Sequence, residues 1–440
     1  VIAAQRAATL ALLSDWIAIP SIAGDPAALR RMARDVAGWL RRHLGATIIE
    51  AGLRCQPPIV HARIDRGHDR TILLYNMYDV MPATPQGWSV PPFVGGEVTV
   101  PGLGACYVGR GAENNKGPLA GMLVALRALL AADAIGANIE LLIEGEEEVG
   151  SAALRDYLRA PATLVRRCQA ALFPSFCEYG GGRPRVYLGS KGIAHGVIHA
   201  ACGPSRPIHS SNAPWIANPA WTLACALARL DGGRLGRIAM PDDAADILTS
   251  LAAGFDPEAE LRFRHSADFA IPGTTAERLA AVLTTSSLNL ASLQTTPADA
   301  RAAIPTSASA NFDLRLPPGV DPDAVLAALR AALAPAELRV HDAYPGHRFA
   351  ATDPAVAALC DSYAAAGVTP QVWPWAIGAM PAYAFANVAD SFLIGGLGHA
   401  GHAHGVDEFV TLAGLDRFLG FVAAWLPATA RAIPPAGAAS

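Results

Sequence analysis

The sequence predicts an α/β protein: a mainly parallel-sheet domain with a second, α+β domain inserted into it. Three observations carry this. Apolar runs of buried-strand type alternate with helical patterns up to about residue 173 and return after residue 353, as a strand–helix sheet domain requires. Between them the pattern shifts to long, alternating strands. At 440 residues the chain exceeds one ordinary hydrophobic core, so two domains are expected. The expected division is 1–189 with 344–440 for the first domain and 190–343 for an inserted, ferredoxin-like lid.

In chain order, residues 3–17 and 25–44 read as helices, the second preceded by the breaker Gly24-Asp25-Pro26. Short strands follow at 48–50 and 59–64. The run Thr71-Ile72-Leu73-Leu74-Tyr75 is a buried strand, and it delivers Asp79 just past its end. A Pro- and Gly-rich loop over 82–103 leads through Gly109-Arg110-Gly111-Ala112-Glu113-Asn114-Asn115-Lys116-Gly117 into a helix at 118–131. The strand 137–142 runs into Ile143-Glu144-Gly145-Glu146-Glu147-Glu148-Val149-Gly150-Ser151. Residues 170–173 form another strand, leading to Ser175 and Cys177. In the inserted part, 186–202 is β-rich, 219–230 helical, 308–316 an alternating strand and 322–333 a helix. The return supplies a helix at 354–366, a strand at 391–394, a His/Gly loop over 395–407 and a closing helix at 412–426, with a frayed tail from 433. No internal repeat is present.

Composition narrows the function classes. Half the residues are apolar and 16% charged, so a large core is available. A formal charge of −4 offers no electrostatic footprint for nucleic acid or an anionic membrane, and neither is expected as a partner. The seven cysteines, Cys55, Cys106, Cys168, Cys177, Cys202, Cys225 and Cys360, are scattered without CxxC spacing, which argues against a disulfide scaffold or a zinc ribbon. They suit a cytoplasmic location. Residues 1–16 lack the charged start and unbroken apolar core of a signal peptide.

The acidic run is the sharpest feature. Four carboxylates within residues 144–148 repel one another unless water, cations or protons relieve them. Their position at the exit of a buried strand, where open α/β sheets carry their sites, favours a catalytic or metal-binding role over a solvated acidic turn.

Taken together, the motifs resemble the dizinc peptidase and amidohydrolase family that includes acetylornithine deacetylase, succinyl-diaminopimelate desuccinylase, glutamate carboxypeptidase and the carnosine dipeptidases. Leu73-Leu74-Tyr75-Asn76-Met77-Tyr78-Asp79-Val80-Met81-Pro82 is similar to LLYGHYDVQP, and residues 107–126 are similar to YGRGASDDKGPLAAMLVAL. Residues 144–151 resemble EGEEEIGS, and Ala403-His404-Gly405-Val406-Asp407-Glu408-Phe409 resembles AHSPNEY. Ile208-His209-Ser210, with Asn218-Pro219 after it, resembles LHSG…NP of the inserted domain. The resemblance spans nearly the whole chain.

It implies two zinc ions held by a His, a bridging Asp, a Glu, a second Asp and a C-terminal His. Those positions fall on Met77, Asn114, Glu148, Ser175 and His404. A thioether, a carboxamide and a hydroxyl replace imidazole and carboxylate poorly. The zinc pair is therefore expected to be absent and no cofactor is expected; if any ion binds, it is a weak single one at Glu148 and His404, helped by His399 or His402. The resemblance further implies Glu147 as general base, Asp79 as the group that orients the first ligand, and His209 as an imidazole reaching the partner subunit's site in a homodimer formed through the inserted domain. Asp79 as a turn cap and His209 as a surface residue are the structural alternatives. Cys177 near Ser175 is conceivable as a thiolate nucleophile, with a buried structural thiol favoured.

For the substrate pocket, family members carry an Arg and paired Gly where this chain has Trp373-Pro374-Trp375-Ala376-Ile377-Gly378-Ala379-Met380-Pro381. This implies a less anionic, more hydrophobic substrate, with Trp375, Asn114, Asn218, Ser175 and Arg315 as substrate-binding candidates, Arg315 through domain packing or a substrate carboxylate. The expected function is an enzyme acting on a C–N amide-type bond of a small amino-acid-derived molecule, by acyl transfer, cyclisation or metal-independent hydrolysis. Two alternatives stand beside it: a metallohydrolase with re-sourced ligands, and a catalytically inactive ligand-binding protein.

Overall fold

A computed structural model describes residues 2–52, 58–160, 164–299 and 301–437; Cys55 and the last residues of the tail lie outside them. The organising element is an eight-stranded sheet ordered Thr47–Ala51, Val60–Ile64, Asn138–Glu144, Thr71–Met77, Ala170–Pro174, Phe392–Gly395, Arg185–Tyr187, Gln371–Trp373. Its four middle strands run parallel, while Thr47–Ala51 and Val60–Ile64 add an antiparallel edge. Every residue of Asn138–Glu144 and Ala170–Pro174 is buried, as continuous apolar strands covered on both faces should be. The two-residue period divides Thr71–Met77 between the layers. Ile72 and Leu74 face the helices Ile2–Ile17, Pro26–Leu44, Lys116–Ala131 and Leu412–Ala432, while Leu73 and Tyr75 face the cluster with Leu154, Leu158 and Phe385.

A second, antiparallel sheet is ordered Arg234–Arg237, Thr285–Thr296, Ser307–Leu316, Gly189–Ala200, Glu337–Tyr344. Helices Pro219–Ala228 and Pro322–Leu333 cover one face through Leu223, Ala226, Leu326 and Leu329, packed on Ile198, Ala310 and Leu314. The mixed α/β class thus has a parallel-centred sheet and a second α+β core.

Three features depart from the sequence reading. Helices Asp242–Ala253, Pro257–Phe263 and Thr275–Thr284 fill the middle of the inserted segment and return to the first sheet's edge, where Ala244, Leu251 and Leu283 enclose Trp373 and Trp375. Within the region read as a loop, Gly96–Val100 pairs with Gly104–Val108, which pairs in turn with Phe409–Thr411. Finally, the closing helix continues through Pro427 to Ala432. Ile433 is buried beyond it, its carbonyl accepting from Arg70 Nε at 2.8 Å, so the tail begins docked rather than frayed. Among the described residues the six cysteines are free, and no helix is long and apolar enough to cross a membrane.

Candidate functional site

The parallel strands all point their carboxyl ends at one cleft, as open α/β sheets do. Thr71–Met77 delivers Met77, Asn138–Glu144 the acidic turn, Ala170–Pro174 Ser175, and Phe392–Gly395 the His-containing loop. The cleft, of about 1230 Å³, is lined by Met77, Glu113, Asn114, Glu147, Ser175 and His399 on this side. On the other side stand Phe255, Glu260, Phe263 and Arg264 from the inserted segment, with residues 376–380 along one wall.

After Glu144 the chain turns at Gly145, where a Cβ would lie 2.3 Å from the Tyr78 ring. Only glycine lets the strand pass there. The 3-10 turn Glu147–Val149 follows, its Glu148 N–H donating to Asp79 Oδ2 at 3.0 Å. Asp79 therefore clamps the acidic turn across space. Position 77 beside it carries a buried Met, so the partner Asp79 holds here is the acidic turn. Burial lifts the Asp79 carboxyl to about 7, against the stabilising effect of the Glu148 N–H.

Two loops nearly 300 residues apart meet beside this turn because Phe409–Thr411 pairs with Gly104–Val108. Asn114 Nδ2 donates to Glu148 Oε1 at 2.8 Å and lies 3.2 Å from His404 Nε2, while His404 Nε2 stands 2.9 Å from Glu148 Oε2. The Asn114–Asn115 peptide is cis. Glu148 holds His404 protonated above its ordinary range. Glu147 projects into the cleft beside this closed set, and its carboxyl is pushed well up, first by burial and then by Glu148, Asp79 and Glu144. Glu144, buried behind, rises to about 8 for the same first reason while accepting from Tyr75 Oη at 2.5 Å and Ser151 Oγ at 3.0 Å.

Two carboxylates here carried no weight in the sequence reading. Glu408 receives the backbone N–H groups of Gly111, Glu113 and Asn114 at 2.8 to 3.0 Å and the guanidinium of Arg110 at 2.7 Å, so it fixes the loop that presents Asn114. Glu113 lines the cleft, accepts from Ala403 N at 2.7 Å and is raised to about 7 by burial and by Glu408. Its place directly before Asn114 was the available signal.

The remaining candidates are dispersed. Ser175 lines the cleft, its Oγ donating to Asn115 Oδ1 at 3.3 Å. Trp375, expected on the pocket wall, is fully buried behind it, its indole N–H donating to the Leu283 carbonyl at 3.2 Å, and the residues after it face the cleft instead. Arg315 pairs with Asp313 at 3.0 Å on the second sheet and does not line the cleft. Asn218 caps the helix Pro219–Ala228 by accepting from Ala220 N at 3.0 Å, and His209 is exposed, its Nδ1 2.8 Å from Ser211 Oγ. Neither reaches this chain's cleft. Cys177 is fully buried with its thiol pushed far up, so it is a structural thiol.

The donor set does not fit a zinc pair. Of the five positions only Glu148 and His404 carry zinc-binding chemistry, and both are already joined to each other and to Asn114. Among the described residues no group of three or more His, Cys, Asp or Glu is placed to hold a metal ion.

Comparison with known proteins agrees with this architecture. The profile of "Peptidase family M20/M25/M40" matches residues 73–427. Cys-Gly metallodipeptidase dug1 of Schizosaccharomyces pombe is 31% identical over 217 residues, covering 45% of this chain and 44% of that protein. Human Beta-Ala-His dipeptidase is 30% identical over 217 residues, covering 43% and 40%. The chain thus matches less than half the length of either curated relative. The solved structure of an M20 family metallo-carboxypeptidase, Sso-CP2 from Sulfolobus solfataricus, superposes with a TM-score of 0.84 at 25% identity, covering 96% of this chain and 99% of that one. The chain belongs to the peptidase family M20/M25/M40.

Proposed function

We propose that this protein is an enzyme acting on the C–N amide-type bond of a small amino-acid-derived molecule, and that it does so without the zinc pair of its family. One observation carries the reading: three of the five positions that would hold the ions form the hydrogen-bonded set Asn114–Glu148–His404, while Glu147 remains directed into the cleft. Burial, and after it the neighbouring carboxylates Glu148, Asp79 and Glu144, push the Glu147 carboxyl well above its ordinary range, in the direction a proton-transferring group needs. Glu147 can give a proton to a departing nitrogen and take one back from an attacking nucleophile. A reaction in which the substrate brings its own nucleophile, by acyl transfer or ring closure, needs only such proton transfer and positioning; hydrolysis needs a bound water in addition. The dipeptidase names of the relatives support an amide substrate.

The test is turnover of a dipeptide and N-acyl amino acid panel, beginning with Cys-Gly and β-Ala-His, with and without a chelator, for the wild type and Glu147→Gln. Chelator-insensitive turnover that falls by about 10²-fold or more in Glu147→Gln is the expected result. Chelator-sensitive turnover with two ions per chain would replace this reading by the metallohydrolase. That rival is favoured by Glu113, a cleft carboxylate one residue from the bridging position. Absence of turnover across the panel would favour the inactive binding protein.

We also propose residues 190–343 as a lid that forms a homodimer, a cytoplasmic location, and no nucleic-acid or membrane partner. Support for the dimer comes from Trp215 and Trp221, 80% and 71% exposed, and Leu293, 62% exposed. They lie in the same segment as the exposed His209. The six free cysteines and the net charge of −4 support the rest.

A further inference from the structure

The cleft has a second chemical pole, distinct from the carboxylates. Its far wall is built by the helix Pro257–Phe263 and the residue after it, packed against Arg185–Tyr187 of the main sheet. Glu260 lies between two arginines. Its Oε2 accepts from Arg185, and its Oε1 accepts from Arg264 Nε at 2.9 Å. Burial alone would raise the Glu260 carboxyl, yet the two guanidinium groups hold it below its ordinary range.

One carboxylate cannot neutralise two guanidinium groups. Arg185 is additionally surrounded by rings, 5.7 Å from the centres of Tyr179 and Phe263 and 5.6 Å from that of Trp373. Its side chain is 10% exposed. The surplus positive charge therefore falls on Arg264, whose side chain is 46% exposed, stands over Phe263 at 4.9 Å and spends only Nε on a partner among the described residues. Four N–H bonds of its planar fork remain free.

The other charges on this wall do not cancel it. Arg183 gives its N–H groups to the carbonyls of Thr369, Gly254 and Pro370. Asp256 is engaged as the helix cap, accepting from Ala259 N at 3.0 Å. Arg262, on the same wall, faces Glu258 at 3.7 Å. On this wall Arg183, Arg185, Arg262 and Arg264 stand against Asp256 and Glu260, while Glu113 and Glu147 line the opposite side of the cleft. A guanidinium fork with free N–H groups beside an aromatic face matches a carboxylate attached to an apolar or aromatic stem.

We propose that Arg264, braced through Glu260 by Arg185, is a specificity residue that reads a carboxylate of the substrate, with Phe263 and Tyr179 holding the apolar group next to it. The inference rests on the amide-bond reading for the site but not on how the bond is broken. Both poles line the same cleft, with Tyr179 also in its wall. The Arg that family members carry where this chain has residues 373–381 is thus replaced in kind by one from the inserted segment, and the substrate keeps an anionic end.

The test is binding, not turnover. N-acetyl-L-phenylalanine and N-acetyl-L-phenylalaninamide have the same shape and differ by the carboxylate; both are titrated calorimetrically into the full chain. The acid is expected to bind at least about tenfold more tightly than the amide. Arg264→Gln should erase that preference while leaving the amide's affinity and the thermal midpoint unchanged, and Arg264→Lys, which keeps the charge but loses the fork, should restore part of it. Equal affinities in the wild type, a preference that survives Arg264→Gln, or binding of neither probe would overturn the proposal. Glu147→Gln should keep the full preference, so failure of the acid–base reading and failure of this subsite give different results.

Discussion

At the scale of single residues, the site sets neutral donors beside desolvated carboxyls. Asn114 offers an amide N–H to Glu148, and Met77 places a thioether on the cleft wall. Burial first of all lifts the carboxyls of Asp79 and Glu113 to about 7 and that of Glu144 to about 8. This has a measurable consequence for stability. Glu144 has a folded value of about 8 against an ordinary 4.5, so the folded protein binds its proton across that interval and the unfolded chain does not. The contribution is complete below about pH 4.5 and is lost as pH rises through 8, at up to about 1.4 kcal/mol per pH unit. Glu144→Gln keeps an oxygen acceptor for Tyr75 and Ser151 and removes the titration. Urea unfolding at pH 5, 7 and 8.5 should show a shallower decline than in the wild type, and an unchanged slope would refute the assignment of that proton. Burial of Trp375 carries a related lesson. Its spacing and chemistry suit a pocket wall, but its indole N–H found the Leu283 carbonyl, and only the packing of Leu283 and Leu251 around it decides which way it turns.

Among the elements, the strand exit at Glu144 does most to place the chemistry. The strand brings the acidic residues to the cleft, Gly145 lets the chain pass Tyr78, and Asp79 clamps the turn that aims Glu147. Tyr78 is fully buried and its hydroxyl donates to the Pro58 carbonyl at 2.5 Å, so its ring cannot retreat. Gly145→Ala should therefore cost about 1–3 kcal/mol, as overpacking does, and lower turnover beyond the loss of folded protein because Glu147 is displaced with the turn. Denaturant melts paired with rates corrected for the folded fraction would separate the two, and a neutral effect on both would show that the passage is not tight. The strand, its acidic exit and the helix after it were legible because each carries its own pattern. The helix Thr275–Thr284 was not expected, although Thr274 and Glu277 form a capping box, because it sits in a segment whose alternating strands set the expectation. The hairpin Gly96–Val100 with Gly104–Val108 was hidden by its glycines and prolines, which read as loop.

For the whole molecule, the inserted segment contributes twice. Its helix Pro257–Phe263 closes the cleft with Phe263 and Arg264, and its outer part carries the exposed tryptophans. If those tryptophans cover each other in a dimer, Trp221→Glu should yield a monomer by light scattering without changing the melting of the first domain. A wild-type chain that is monomeric at micromolar concentration would end that reading, and His209 would then remain a surface residue.

The sequence by itself determined the α/β class, the buried parallel strands and the acidic turn at their end. Those features are local, written in periodicity and in residue chemistry. Tertiary structure decided which distant residues come together: Glu113 and Glu408 near His404, and Arg264 across the cleft from Glu147. Phe409–Thr411 pairs with a strand nearly 300 residues earlier, and the inserted helix folds back onto the main sheet's edge. Contacts across such separations depend on register and packing, which no single segment's pattern contains.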